Sequence, residues 1–365
     1  MLPEATGKVE TFVGRYLLNT WYAAAHGDEL RDRPLGRTLL ERPVVLYRTA
    51  SGQVAALEDR CPHRFAPLSL GRIKGDELEC GYHGLRFQAS GSCSHNPHGP
   101  IPPKAQVRRY PTLERYGYVW FWPGDPARAD AALLPQFDFL TQPERFTVMP
   151  GYLHVKANYQ LIVDNLLDLS HAHYIHPHFA IRELSLEEQL RVTRTKTTTA
   201  GDTVTAWRTR TAVPPNPGTR EVFGFGPELV DTRSHMTWHA PALLNFDVGA
   251  CLTGTPEELG LCIPQAHFIT PETALTSHYF FAASRNMKRD DAEAGRRFLE
   301  MLDMAFREQD EPMIEAVQRN MGTVTELDEL DPLLLRTDSA PVMARRVLQR
   351  LIAAENALPS GLNVA

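Results

Sequence analysis

At 365 residues, 43% hydrophobic and 22% charged, the chain has the make-up of an ordinary soluble protein with room for roughly two domains. A net charge of −6 and an isoelectric point near 6.2 leave no positive field to attract phosphates, which excludes nucleic acid as the main partner. No run approaches the roughly 20 apolar residues of a membrane span, and the N-terminus lacks the basic start and apolar centre of a signal peptide, so the expected compartment is the cytoplasm.

In chain order, residues 14–125 read as one unit of short strands. VVLYR (44–48), VAALE (54–58) and YGYVWFW (116–122) are β-branched or aromatic runs bounded by turn residues. NPHGPIPPKAQ (96–106) is a proline-rich loop, and PGDP (123–126) closes the unit. The second unit, 126–365, opens with a linker-like segment. Strand patterns follow near 146–158, 190–213, 234–250 and 265–283, and helical patterns over about 159–175, 291–320 and 341–357. Runs of strands with terminal helices predict an α+β fold. Neither GxGxxG nor GxxxxGK[ST] occurs, so a redox role requires electrons from NAD(P)H to arrive through another protein.

The five cysteines are an odd number in a chain expected inside the cell, which argues for metal binding or inert packing rather than disulfides. Cys93, Cys251 and Cys262 read as packing residues. The other two belong to a pattern. Cys61-Pro62-His63 is followed, after sixteen intervening residues, by Cys80-Gly81-Tyr82-His83. Two loops that each present one thiolate and one imidazole suit a [2Fe–2S] cluster with sulfur on one iron and nitrogen on the other, the neutral imidazoles raising its potential. A Cys₂His₂ zinc site is the competing reading. Zinc fingers group like ligands together, whereas here each pair is mixed.

Residues 164–178, DNLLDLSHAHYIHPH, place four histidines within eight residues. His171 and His176 form H-x₄-H, preceded by Asp168 and Asn165; His173 and His178 share the spacing, and the D-x-x-H that precedes His171 selects the first pair. On an ideal helix His171 and His176 would face different ways, but Pro177 disfavours the α conformation at His176 and predicts a break that swings it round. A facial triad of two histidines and one carboxylate still needs its acid. Leu302, Phe306, Asp310, Met313 and Val317 form one helical stripe on which Asp310 is the only charge, and a buried carboxylate calls for a cation. The bland alternative pairs Asp310 with Arg307.

CPHRFAPLS and CGYHGLRF closely resemble the Rieske motif. Respiratory members carry an extra disulfide beside the cluster, whose positions here are Ala66 and Tyr82, so the chain resembles the oxygenase type instead. N-x-x-D-x-x-H-x₄-H after such a domain is similar to the oxygenase components of Rieske non-haem iron enzymes, above all the vanillate and dicamba O-demethylase branch. RPLGRTLL, HNPHG, ERYGYVWFWPGDP, LIVDNLLDLSHAHYIH, LLNF and HFITPET carry that likeness from 19 to 355.

The resemblance implies an all-β Rieske domain followed by a helix-grip, START-like catalytic domain whose antiparallel sheet curves around a long helix. It implies that Cys61, His63, Cys80 and His83 hold the [2Fe–2S] cluster, and that His171, His176 and Asp310 hold a mononuclear Fe(II). Asp168 would bridge a cluster histidine of one subunit and an iron histidine of its neighbour in a homotrimer, and Asn165 would help position the iron or its water. The partners implied are a small aromatic substrate, dioxygen and a separate NAD(P)H-dependent reductase, with or without a ferredoxin. The implied reaction oxidises an aryl methyl ether carbon and releases a phenol and formaldehyde.

Asn245 in LLNF and His267 in HFITPET match positions where relatives that demethylate methoxybenzoates set polar groups around the carboxylate. Those relatives have a tryptophan nine residues before the ligand aspartate; here it is Met301, which predicts a different ring substituent or a bulkier ether. Two other readings compete: an oxygenase that hydroxylates a methyl group or ring or removes an N-methyl group, and a pure electron-transfer protein.

Overall fold

The computed structural model describes residues 14–357. The first part of the segment read for a targeting signal, and the end of the second unit, lie outside the described residues. Three small antiparallel sheets build the N-terminal unit: β1 (Tyr22–His26), β11 (Tyr118–Phe121) and β10 (Thr112–Arg115); β2 (Leu35–Leu39), β3 (Arg42–Arg48), β4 (Val54–Glu58) and β9 (Arg109–Tyr110); β5 (Arg72–Lys74), β6 (Glu77–Glu79), β7 (Arg86–Phe87) and β8 (Cys93–His95). Val45, Tyr47, Leu57, Leu68, Leu78 and Phe87 form a core in which Cys61 and Cys80 are themselves embedded. The cysteine loops are therefore fixed from beneath by packing and leave only their tips at the surface.

The C-terminal unit is one antiparallel sheet with helices packed against it. Its order is β12 (Thr147–Val155), β19 (Ser277–Arg285), β18 (Gln265–Pro271), β16 (Leu243–Leu252), β15 (Val230–His239), β14 (Thr203–Val213), β13 (Thr193–Ala200), with β17 (Leu261–Cys262) on β16. The sequence expectation of four long strand runs needs correction, because three of them are hairpins. The run 190–213 begins in the short helix α3 (Leu186–Val192) and folds back at Ala200–Thr203. The runs 234–250 and 265–283 turn at Ala240–Ala242 and Glu272–Thr276. Continuous burial of both arms hides the turn at Glu272–Thr276, and strand-forming composition on both sides of a short turn hides the other two.

The helices are α1 (Tyr159–Leu167), α2 (Ala172–Ile175), α3, α4 (Pro217–Phe223), α5 (Ala292–Asp303), α6 (Glu311–Met321) and α7 (Ser339–Asn356). None among the described residues is long and apolar enough to cross a membrane. The helix expected over 159–175 is two pieces. Asn158 caps α1 by accepting from Gln160 N, and α1 stops at Asp168, whose carboxylate accepts from both the backbone and the hydroxyl of Ser170. That local turn competes with the helical ladder. The single turn α2 then starts at His171 and ends at His176 (φ −114, ψ 76), as Pro177 requires.

The expected helix 291–320 is also interrupted. Met304–Asp310 is π-helical, and Glu311 N reaches back to Phe306 O. Four residues of α-helix turn slightly more than a full circle and four of π-helix slightly less, so inserting the wider turns keeps Leu302, Phe306 and Asp310 inward. The inward line then runs through Ile314, Gln318 and Met321. Met313 and Val317, expected on the buried stripe, are exposed instead.

The segment read as a linker is packed: Leu134, Phe137, Phe139 and Phe146 are buried with Trp120, Trp122, Phe268 and Phe280 in one cluster that joins the units. Tyr118 donates to Phe281 O and Thr270 to Ala23 O across the same boundary. At about 1.5–3 kcal/mol for each fully buried large side chain, this junction is a shared core rather than a hinge.

Candidate metal centres

The two Cys/His loops are near copies of each other. In the first, Cys61 N donates to Ala66 O and Phe65 N to Cys61 O; in the second, Cys80 N donates to Leu85 O and Gly84 N to Cys80 O. The fourth following residue has positive φ in both, 60° at Phe65 and 73° at Gly84. Each turn buries its cysteine and carries its histidine outward. The thiols of Cys61 and Cys80 face each other, and the rings of His63 and His83 lie 4.5 Å apart. Burial pushes the Cys61 thiol up to about 11, so a thiolate there needs a cation to hold it. His83 Nδ1 is buried without a hydrogen-bond partner, a nitrogen placed to ligate rather than to bond within the fold.

These observations also weigh the zinc alternative. One tetrahedral zinc ion would draw all four donors within about 4 Å of one another. Among the described residues, the only group of three or more His, Cys or acidic donors that close together, within 4.8 Å, is His171, His176 and Asp310. The Cys/His set is spread wider, as a binuclear cluster requires.

The second centre is assembled from α1, α2 and the π turn. Asp310 Oδ1 lies 3.6 Å from His171 Nε2 and 3.4 Å from His176 Nε2, and it accepts from Asn165 Nδ2 at 3.2 Å. Each imidazole is oriented through its other nitrogen: His171 Nδ1 meets Asp168 O, and His176 Nδ1 meets Gln309 Oε1 at 2.7 Å. Both Nε2 atoms are thereby turned to the same point, the arrangement metal-bound histidines use. Three donors on one side leave the opposite side for other ligands. His173 and His178 are engaged elsewhere, with Arg208 and Glu221, and Arg307 pairs with Asp303 rather than Asp310. Gln309 gave no signal in the sequence beyond its place beside Asp310.

His171, His176 and Asp310 border a cavity of about 170 Å³ between the sheet, α4 and α5. An apolar cavity of about 150 Å³ accepts benzene, so the space suits one substituted ring. His267 and Met301 line it. His267 is fully buried, its Nδ1 bonds Tyr279 Oη at 2.8 Å, and its Nε2 has no partner; burial pushes it down to about 3, so it is a neutral imidazole. Asn245 does not line the cavity. Alternation along β16 gives Phe246 and Val248 to the cavity face, while Asn245 pairs in register with Ala266 on the other. Gln265, Arg208 and Arg210 do line it and were not anticipated. Asp168 lies on the outer side of His171, in a separate groove.

Residues 20–111 match the Rieske [2Fe-2S] domain, and residues 155–354 match the vanillate O-demethylase oxygenase C-terminal domain. The chain belongs to the Rieske non-haem iron oxygenases of this family. It is 39% identical to the oxygenase component of dicamba O-demethylase from Stenotrophomonas maltophilia, over 92% of this chain and 98% of that one. It is 37% identical to the oxygenase component of chloroacetanilide N-alkylformylase from Rhizorhabdus wittichii, over 93% and 97%. A crystal structure of dicamba monooxygenase bound to 3,6-dichlorosalicylic acid superposes with a TM-score of 0.87 at 36% identity, covering 94% of this chain and 99% of that one.

This Rieske oxygenase therefore carries a [2Fe–2S] cluster and a mononuclear iron as its cofactors, and the donors described above fit both. As an oxygenase component it works with a separate reductase.

Proposed function

We propose that this protein O-demethylates a methoxybenzoate-type aromatic acid to a phenol and formaldehyde. Cys61, His63, Cys80 and His83 hold the cluster in unit 14–125, and His171, His176 and Asp310 hold the iron in unit 126–365. The observation that carries the reading is the convergence of one carboxylate and two imidazoles on the wall of a one-ring cavity. When bound, the iron supplies activation of dioxygen with electrons relayed from the cluster. The chain's own residues do the rest. Asn165 holds Asp310 in place, Asp168 O and Gln309 fix the imidazoles, and apolar Met301, Leu302 and Phe306 exclude water from the reacting methyl group.

The same reading makes the active unit a cytoplasmic homotrimer fed by an NAD(P)H-dependent reductase, directly or through a ferredoxin. Two surfaces support the trimer. Phe65, Leu70 and Tyr82 are exposed around the cluster histidines, and exposed Leu333, Leu334, Leu335 and Met313 line the groove that contains Asp168. A second copy's cluster loops seated in that groove would bring a cluster histidine to Asp168. Its carboxylate would then link two imidazoles.

The test is oxygen uptake with reductase, NADH and a panel of methoxybenzoates, with formaldehyde assayed alongside. Formaldehyde released one-for-one with substrate-dependent uptake is the expected result. Uptake without formaldehyde would move the assignment to hydroxylation. The N-dealkylating relative makes N-alkyl substrates the second reading, which the same panel separates by the heteroatom that loses its carbon.

A further inference from the structure

Arg208 and Arg210 stand two residues apart on β14, so the alternation of the strand sends both side chains to the same face, the one that borders the cavity. There they line the cavity beside Ser234 and Thr232, their register partners on β15. Arg210 is only 7% exposed. Among the described residues neither guanidinium has a carboxylate within ion-pair distance, whereas Arg233 and Arg345, also drawn into the fold, pair with Asp247 and Asp164. The hydrogen-bond partners of the pair are neutral, and Asp168 acts on Arg208 only from beyond ion-pair distance. His173 Nε2 meets Arg208 Nη2 at 2.6 Å and Arg210 Nη2 at 3.3 Å, and Arg210 Nε donates to Thr193 Oγ1 at 3.0 Å.

Burying one cation without a counter-charge is costly, and burying two side by side is more so. Burial and the neighbouring Arg210 push Arg208 down to about 9, outweighing the opposing pull of Asp168. The arrangement makes physical sense if the missing negative charge arrives with a ligand. The contact with His173 also locates the pair: His173 lies on the short turn between His171 and His176, so the cations sit one ring nitrogen away from the segment that carries both iron ligands.

We infer that Arg208 and Arg210 form the anion-binding end of the substrate cavity, selecting aryl carboxylates or arylsulfonates and aiming the rest of the ring at the iron ligands. The inference rests on reading this cavity as the substrate site. A planar guanidinium can take an oxyanion through two parallel hydrogen bonds, which sets orientation as well as affinity. His267 and Gln265, whose Nε2 and Oε1 are buried without partners, are then left for neutral ring substituents.

The test is calorimetric binding to the iron-loaded protein of 4-methoxybenzoate, its neutral amide and toluene-4-sulfonate. Wild type is expected to bind at least one of the two anions about 10- to 100-fold more tightly than the amide, the range of a hydrogen bond to a charged group. Arg210→Gln should bring that anion down to the level of the amide and leave the amide unchanged, and Arg208→Lys should keep part of the preference. Arg210→Met fills the same space without charge and replaces Arg210→Gln should the latter lose its cluster absorbance. Either neutral variant should unfold at a temperature no lower than wild type, since an uncompensated buried charge is removed. Equal binding of acids and amide by wild type, or a variant that weakens both alike or neither, would overturn the inference. A protein that prefers the anions yet releases no formaldehyde retires the O-demethylase reading and keeps the anion site. One that demethylates neutral methoxyarenes as readily as acids does the reverse.

Discussion

Replacing Gln309 with leucine isolates the orientation of one iron ligand. His176 presents Nε2 to the metal position only while its Nδ1–H is held by Gln309 Oε1, 2.7 Å away. His176 is 5% exposed, so water cannot take over as acceptor. A buried donor left without a partner costs about 1–3 kcal/mol, which corresponds to roughly 5- to 150-fold in an equilibrium constant. Outer partners of metal ligands typically contribute about 10- to 100-fold to affinity, in the same range. His171 is untouched, because its ring is held by the backbone of Asp168. Ferrous iron retention, measured by competition with a chromophoric chelator, should therefore fall about 10- to 100-fold in Gln309→Leu. The visible absorbance of the cluster should stay constant, since Cys61 and Cys80 sit in a different core. Gln309→Glu keeps an acceptor and should hold iron at least as well as wild type. Wild-type iron affinity in Gln309→Leu would refute the role given to this residue; joint loss of iron and cluster would show the effect to be global.

Three further outcomes are expected. Cys80→Ser should abolish the cluster's visible and electron-paramagnetic signals and bring reductase-driven oxygen uptake to background, while leaving the mononuclear iron in place; a persistent cluster spectrum would remove Cys80 from the ligand set. Met301→Trp narrows the cavity at a stability cost of about 1–3 kcal/mol and should raise KM for doubly ortho-substituted benzoates more than for unsubstituted ones, which a KM series measures directly. His278 Nε2 donates to Thr38 O and, in the neutral ring, Nδ1 accepts from Tyr152 Oη; burial pushes it down to about 4 from its ordinary 6.5. The unfolded chain binds the extra proton between those values, so this contribution to stability is complete above pH 6.5 and declines as pH falls towards 4, by about 1.4 kcal/mol per pH unit. His278→Gln should flatten the pH slope of urea unfolding between 6.5 and 5; an unchanged slope would place the acid sensitivity elsewhere.

Short-range chemistry was legible in the sequence and tertiary completion was not. The break at His176 follows from Pro177, and the ends of β3 and β4 from local composition, because each depends on a handful of adjacent residues. The hairpin at Glu272–Thr276 was run together because both its arms are buried, which erases the alternation of a half-exposed strand, whereas those at Ala200–Thr203 and Ala240–Ala242 join arms of like, strand-forming composition across very short turns. The π turn at Met304–Asp310 has no sequence signature at all. It is imposed by the need to keep Leu302, Phe306 and Asp310 on one line, and it moved the buried stripe from Met313 to Ile314. The supposed linker was misread for a related reason: Phe137 and Phe139 lie among turn residues, and only the second unit's Phe268 and Phe280 show why they are apolar.

The site divides along the same line. Ligands at fixed spacing, such as Cys61 and His63 or His171 and His176, come from one loop or one turn, so their pattern survives in the linear chain. Residues that act across the sheet do not advertise themselves. Asn245 and His267 were paired by resemblance, yet the register of β16 against β18 sets Leu244 beside His267 and turns Asn245 to the far face. Arg208 and Arg210 gave no signal in the sequence; only the placement of β14 shows that they reach the cavity with no carboxylate at ion-pair distance. Charge in a sequence carries no sign of burial. Identifying a cation that a ligand must neutralise requires the list of what surrounds it, which is a property of the fold and not of any motif.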